Sequence, residues 1–290
     1  MNLKHLVKGS RPKTLVAATQ PILAAMALNY LHHQENNWFY VVLCLVLALC
    51  IQIATNFYND AVDHIKGADD KRIGPARITS QDKVDVKAVF WVGHFFLAIA
   101  FLVGIPLVFK GGIIVALLGV ISLFFAYGYT GGPFPLAYLG LGELFVFIFF
   151  GLVATVGSYF LISTSLHRDA WVLGSQIGLL SCVLIAINNF RDRLTDIEVG
   201  KRTLATRLSK RTYYILLALF FLLPYMGIFY YVYIYNFIFL FNFLSLPLAV
   251  FIIYKFVNAR SGIDYNKLLA LSGMHLLFFS VLFMGICYAN

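Results

Sequence analysis

The chain is 290 residues long, 61% hydrophobic and only 12% charged, with a formal net charge of +9. Soluble domains carry about 25% charged residues, so this composition excludes an ordinary water-soluble fold and indicates repeated membrane crossings. It also leaves no soluble domain to present a basic surface to nucleic acid, so the positive charge calls for a topological explanation.

The N-terminal MNLKHLVKGSRPKT is basic and runs straight into an apolar stretch, so no cleavable signal peptide is expected. Nine spans are predicted at 15–31, 38–58, 89–109, 112–129, 141–163, 171–190, 213–233, 235–256 and 268–288. Each is near the ~20 residues a helix needs to cross a bilayer. The alternating pattern of a membrane barrel is absent. The expected fold is all-α, a single polytopic membrane domain over residues 1–290. The division near 234 interrupts a run that is almost continuously apolar, and Pro224 and Pro247 are expected to kink spans without ending them. Cys44, Cys50, Cys182 and Cys287 lie inside apolar stretches with no CxxC pair and read as packing residues.

With a cytoplasmic N-terminus, 20 of the 22 lysines and arginines fall on one side, leaving Lys110 and Arg168 on the other. The positive-inside rule then fixes both orientation and the parity of the span count, and places every hydrophilic loop of any size in the cytoplasm. Tyr230, Tyr231, Tyr233 and Tyr235 are expected as an aromatic belt at the opposite interface. His94 and His275, within spans, are expected packed, neutral and hydrogen-bonded.

The second span ends in Gln52, Asn56, Asn59, Asp60 and Asp63, which share about a 100° stripe of one helical face. The sixth ends in Asn189, Asp192 and Asp196, within about 60° of one another. A polar stripe closing a lipid-soluble helix must face protein or a water-filled cavity. Paired carboxylates repel unless a cation lies between them, and Mg²⁺ held by a few carboxylates keeps positions open for substrate phosphate. Asn56, Asn59, Asp60, Asp63, Asp192 and Asp196 are therefore the candidate ligands of a magnesium–diphosphate site. Lys66, Arg72, Arg77, Arg191, Lys201 and Arg202 are the candidate contacts to diphosphate, in competition with a purely topological role. Between the fourth and fifth spans, YGYTGGPFPLAYLGLGE has no basic residue, and its Gly-Gly-Pro lets backbone approach a ligand closely. Glu143, an acid entering the fifth span, is a further site candidate.

Four stretches carry a family resemblance: RPKTL (11–15), NDAVDHIKGADDKRIGPARIT (59–79), YTGGPFPLAYLGLGE (129–143) and NNFRDRLTDIEVGKRTLATRL (188–208). They resemble the motifs of the UbiA superfamily of intramembrane prenyltransferases, most closely its menaquinone-pathway branch. The last three spans contribute only hydrophobicity. Many members carry a third Asp four residues after the second; here that position is Gly67, followed by Asp69 and Asp70, which leaves Asp69 a possible late participant.

The resemblance implies Mg²⁺-dependent transfer of a polyprenyl group from polyprenyl diphosphate to 1,4-dihydroxy-2-naphthoate, with loss of CO₂ and diphosphate, giving demethylmenaquinone. It implies a bacterial inner-membrane enzyme with a cytoplasm-facing site, in which Asp60, Asp63, Asp192, Asp196 and Tyr129 are catalytic. It also implies an acceptor pocket near Tyr127 or Tyr129, to which Arg11, Glu143 and Asn189 are added as candidate contacts, while the apolar spans house the tail. Competing readings are another acceptor within the superfamily (4-hydroxybenzoate, haem O or archaeal lipid), a CDP-alcohol phosphotransferase, or a transporter. The second lacks its Asp-Gly-x-x-Ala-Arg block here, and the third would favour acids nearer the bilayer midplane.

Overall fold

The computed structural model describes residues 1–67, 74, 77–80 and 82–290. Among these, all regular structure is helical. The elements are α1 (Leu3–Ser10), α2 (Pro12–His33), α3 (Trp38–Ile65), α4 (Val86–Gly128), α5 (Leu136–Leu139) and α6 (Gly142–Ser163). They continue with α7 (Arg168–Glu198), α8 (Leu204–Arg207), α9 (Lys210–Ile234), α10 (Phe237–Asn258) and α11 (Gly262–Ala289). Eight of them, all but the short α1, α5 and α8, are long and apolar enough to cross a membrane.

One of the eight makes two crossings. At 1.5 Å per residue a straight 43-residue α4 would run about 65 Å, twice a bilayer's hydrocarbon core. The helix breaks at Gly112, whose φ of +68° and ψ of −157° suit a residue without Cβ. Lys110, just before the break, lies over the Tyr40 ring at the start of α3. Thr130, just after α4, hydrogen-bonds Asn59 near the end of α3. The second half therefore returns to the end of the bundle from which the first half started, which restores the nine expected crossings. The boundary near 234 also stands, with the chain leaving α9 at Tyr235–Asn236. At Pro224 the α9 backbone passes through a 3₁₀ turn without ending, and Pro247 opens the α-helical part of α10.

The centre of the bundle is α2 and α7. Their most apolar windows are 61% and 67% buried, against 6% for α4, whose side chains mostly face outward. The reason for α2 is compositional: Ala17, Ala18, Ala24, Ala25 and Ala27 are all buried, and small side chains let neighbouring helices come close. The α6–α7 crossing goes further. A Cβ at Gly151 would lie 2.6 Å from both the Gly174 carbonyl oxygen and the Gly178 Cα. Around Gly151 the backbone of α6 takes π-helical form from Phe147 to Val153.

Three expectations meet the structure differently. The four cysteines are free and buried, as expected. His275 is buried with its Nε2 2.9 Å from the Tyr225 hydroxyl, whereas His94 is exposed on α4, with its Nδ1 2.7 Å from the Phe90 carbonyl. Among the four tyrosines assigned to an aromatic belt, Tyr233 does face outward, at 87% exposure. Tyr230, Tyr231 and Tyr235 instead turn inward, Tyr230 and Tyr235 donating to the Asp169 carboxylate and Tyr231 to its backbone carbonyl. A buried carboxylate needs donors more than the interface needs aromatics.

Candidate active site

The ends of α3 and α7 meet near one tyrosine. The Tyr138 hydroxyl donates to Asp63 Oδ1 at 3.1 Å, and its carbonyl accepts from the Arg202 N–H at 3.0 Å. Lys66 Nζ lies 3.9 Å from the centroid of its ring and Lys201 Nζ 5.5 Å. Burial pushes the Tyr138 phenol well above its ordinary value, the charge of Asp63 and its hydrogen bond add to this, and the charge of Asp196 acts in the same direction. Acids from both helices are thus felt at one ring.

Each carboxylate has a cation of its own. Asp60, 2% exposed, is paired with Arg11 and, at 3.2 Å, with Arg77 Nη1. Asp63 accepts from Arg77 Nη2 at 2.7 Å. Asp192 is gripped by the adjacent Arg191, whose Nε and Nη2 reach its two oxygens at 2.7 and 2.6 Å. Asp196 Oδ1 lies 3.4 Å from Lys201 Nζ, and its buried Oδ2 has no hydrogen-bond partner among the described residues. Four carboxylates at one end of the bundle, one with an open oxygen, make a hard-oxygen donor set that fits Mg²⁺.

Beyond these groups lies a cavity of about 970 Å³. Its polar end is lined by Arg11, Asn59, Asp63, Arg77, Asn189 and Lys201, and the rest is walled chiefly by apolar side chains of α2, α3, α4 and α6. Asp60, Asp192 and Asp196 do not line it directly; Asp60 is joined to it through Arg11 and Arg77 and Asp196 through Lys201, while Asp192 is held by Arg191, whose partner Asn188 lines it.

The other predicted residues divide clearly. Asn59 accepts from the Thr130 hydroxyl and faces the cavity. The amide of Asn56 is spent on Ser10 O (2.9 Å) and Thr14 Oγ1 (3.1 Å), while its oxygen accepts from Gln52, so it ties α3 to the start of α2. Lys66 Nζ donates to Thr130 O at 3.0 Å. Burial holds its ammonium below the ordinary lysine value, the Asp63 charge opposing this and the Lys201 charge adding to it. Arg191 also bonds Asn188 and Asn266, each at 2.7 Å, which joins α7 to α11. Arg202 contributes its backbone, and its side chain is exposed. Arg72, with Asp69 and Asp70, lies outside the described residues.

On the acceptor side, Tyr129 lines the cavity, with burial and then the Glu143 charge raising its phenol well above the ordinary value. Tyr127 instead packs edge-on against Tyr58, with ring centroids 5.5 Å apart, and is 41% exposed. Glu143 is 3% exposed and stands behind Asn189, whose amide donates to its Oε1 at 3.0 Å; Tyr213 adds a second bond at 3.3 Å. Arg11 sits between α1 and α2 with φ +49°, a backbone setting uncommon for a residue with Cβ, and turns to Asp60. Sequence reasoning missed Tyr138, Thr130, Tyr213 and Asn266. Tyr138 could have been found in a quoted motif, but nothing in the spacing distinguished it from the neighbouring aromatics.

Comparison with known proteins fits this geometry. The model of the UbiA prenyltransferase family matches residues 19–285. The chain is similar to 1,4-dihydroxy-2-naphthoate octaprenyltransferase of Haemophilus influenzae, 36% identical over 215 residues that cover 71% of this chain and 70% of that protein. Among solved structures it resembles the apo form of a UbiA homolog from Aeropyrum pernix K1, with a TM-score of 0.69 at 14% identity and full coverage of both chains. It also resembles a UbiA homolog from Archaeoglobus fulgidus bound to DMAPP and Mg²⁺ (TM-score 0.63, 12% identity, 96% of this chain and 98% of that one).

Proposed function

Since the chain belongs to the UbiA prenyltransferase family, we propose that it moves a polyprenyl group from polyprenyl diphosphate to 1,4-dihydroxy-2-naphthoate, with loss of CO₂ and diphosphate. The observation that carries this reading is a largely apolar cavity whose polar mouth is rimmed by cations, each paired with a buried carboxylate. The name of the Haemophilus relative supports the acceptor, and the ligands of the Archaeoglobus homolog support an isoprenoid diphosphate and Mg²⁺. The lysine and arginine bias supports a cytoplasmic mouth in a bacterial inner membrane.

Asp63, Asp192 and Asp196, with Asp60 and Asn59 beside them, are the residues to hold Mg²⁺, which when bound would offset the charge developing on departing diphosphate. Lys66, now on the Thr130 carbonyl, and Arg77 and Lys201, now on carboxylates, lie where they can turn to phosphate and hold the leaving group. The apolar walls take up the isoprenoid tail and keep water from the allylic carbon as its C–O bond breaks. Asn189, oriented by Glu143, and Tyr129 position the naphthoate ring at the polar end. The ring carbon bearing the carboxylate forms the new C–C bond, and CO₂ leaves as its bonding pair returns to the ring. The product is the quinol of demethylmenaquinone.

Asp63→Asn and Asp192→Asn test the assignment of the acids. Each is expected to lower diphosphate release by at least about 100-fold, the scale of losing one group that stabilises developing charge. The chain should keep its elution profile in detergent. Turnover like that of the unaltered protein in either variant removes that residue from the site.

A further inference from the structure

A second cluster of polar side chains lies at the other end of the bundle. Asp169 and Asp196 are both on α7, and 27 residues at 1.5 Å each separate them by about 40 Å. The Asp169 side chain is fully buried at the start of α7, flanked by His32 from the end of α2 and by the exposed His167. His32 Nε2 lies 3.1 Å from Asp169 Oδ2, and His167 Nδ1 lies 3.1 Å from Asp169 Oδ1. One ligand atom from each of the three residues falls within 4.8 Å of the others. In a tetrahedral zinc site with bonds of 2.0–2.1 Å, neighbouring ligand atoms are about 3.3 Å apart.

Two independent observations separate this cluster from an ordinary hydrogen-bonded knot. First, its outer partners have the pattern that orients metal ligands. His32 Nδ1 lies 2.6 Å from the Tyr159 hydroxyl, which directs Nε2 at the cluster, where a bound ion would displace the Tyr235 hydroxyl now 2.7 Å from it, and Tyr230 donates to Asp169 Oδ1 at 2.8 Å. Secondly, the charge balance is incomplete. Among the described residues no lysine or arginine is paired with Asp169; its partners are the two imidazoles and tyrosine hydroxyls. A divalent ion held by these three residues would bring to the buried carboxylate the positive charge that no lysine or arginine supplies among the described residues. The exposed edge of His167 gives such an ion an entry path and a face for water as fourth ligand.

We propose that His32, His167 and Asp169 form a binding site for a divalent transition-metal ion of the Zn²⁺ type, on the membrane face opposite the prenyl-transfer site. Two imidazole nitrogens and one carboxylate oxygen suit such an ion better than Mg²⁺, which prefers oxygen alone. Binding joins the end of α2 to the start of α7, the two most buried spans.

The test is titration of the purified full-length chain in detergent with Co²⁺ and Zn²⁺, in millimolar Mg²⁺ to occupy the acidic site at the other end. The expected result is one Co²⁺ per chain with the intense visible bands of a four-coordinate site, displaced by Zn²⁺. His167→Ala removes an exposed side chain with its contacts to Asp169 Oδ1 and to the Asp169 N–H, and leaves the contacts of Asp169 with His32, Tyr230, Tyr231 and Tyr235 in place. It is expected to weaken binding at least about tenfold and abolish the bands, while prenyl transfer in Mg²⁺ is unchanged. Asp192→Asn should leave the Co²⁺ bands intact. Equal binding by the unaltered chain and His167→Ala overturns the site, as does Co²⁺ binding lost only with Asp192→Asn. Absence of saturable binding overturns it as well.

Discussion

At the scale of single residues, Tyr138 is the side chain on which the account of the site turns. Its hydroxyl holds Asp63, its carbonyl holds the Arg202 backbone, and its ring lies beside Lys66 and Lys201. Tyr138→Phe removes the hydroxyl alone and keeps the ring. A hydrogen bond to a charged group contributes ~1.5–3 kcal/mol, so kcat/KM should fall about 10- to 100-fold with the fold intact. Steady-state kinetics with the prenyl diphosphate decides this. Lys66 gives a prediction in pH. Partial desolvation of its ammonium disfavours the charged form, so the proton is lost at a lower pH than from a freely hydrated lysine. As pH rises through that lowered value, Lys66 becomes neutral and can no longer attract phosphate. The KM for the diphosphate should therefore climb on the alkaline side below the ordinary lysine range. Lys66→Arg, charged throughout, should flatten that limb. A KM profile identical in both proteins would remove Lys66 from the diphosphate contacts.

At the scale of helices, the site depends on how closely α6 and α7 approach, because α6 carries Glu143 in its first turn and α7 carries Asn189, Asp192 and Asp196. Gly151 sets that distance, its missing Cβ leaving room for the backbone at Gly174 and Gly178. Gly151→Leu should cost about 1–3 kcal/mol by overpacking and lower the thermal transition of the purified protein. Gly285→Ala meets nothing within 4 Å and serves as the neutral control. These helices also show what sequence makes legible. Span limits were readable because hydrophobicity over ~20 residues is a strong signal, and Asp63, Asp192 and Asp196 because an acid closing such a span is conspicuous. The inward turn of Tyr230 and Tyr235 was not readable, since an interfacial tyrosine and a buried donor have the same composition. Asp169 did carry the warning of an acid at the start of a span, but its partners His32 and His167 come from distant parts of the chain and share no spacing.

At the scale of the whole molecule, two polar ends are separated by an apolar middle that houses one long cavity. One end carries most of the basic side chains, paired acids and the cavity mouth; the other carries Lys110, Arg168 and the Asp169 cluster. That asymmetry is what a membrane-embedded prenyl transfer requires: charge at the mouth for diphosphate, and a dry interior for the tail and for a carbon that water would quench. Hydropathy and charge bias revealed the asymmetry, while the pairing of Asp60 with Arg11, or of Glu143 with Asn189, is set by packing between segments far apart in sequence. The chain reconstituted in liposomes with polyprenyl diphosphate, 1,4-dihydroxy-2-naphthoate and Mg²⁺ should yield a lipid whose mass equals acceptor plus prenyl chain minus CO₂, with one diphosphate released per product. A prenylated product that retains the carboxylate contradicts the proposed decarboxylation. Product formed from 4-hydroxybenzoate but not from the naphthoate contradicts the proposed acceptor.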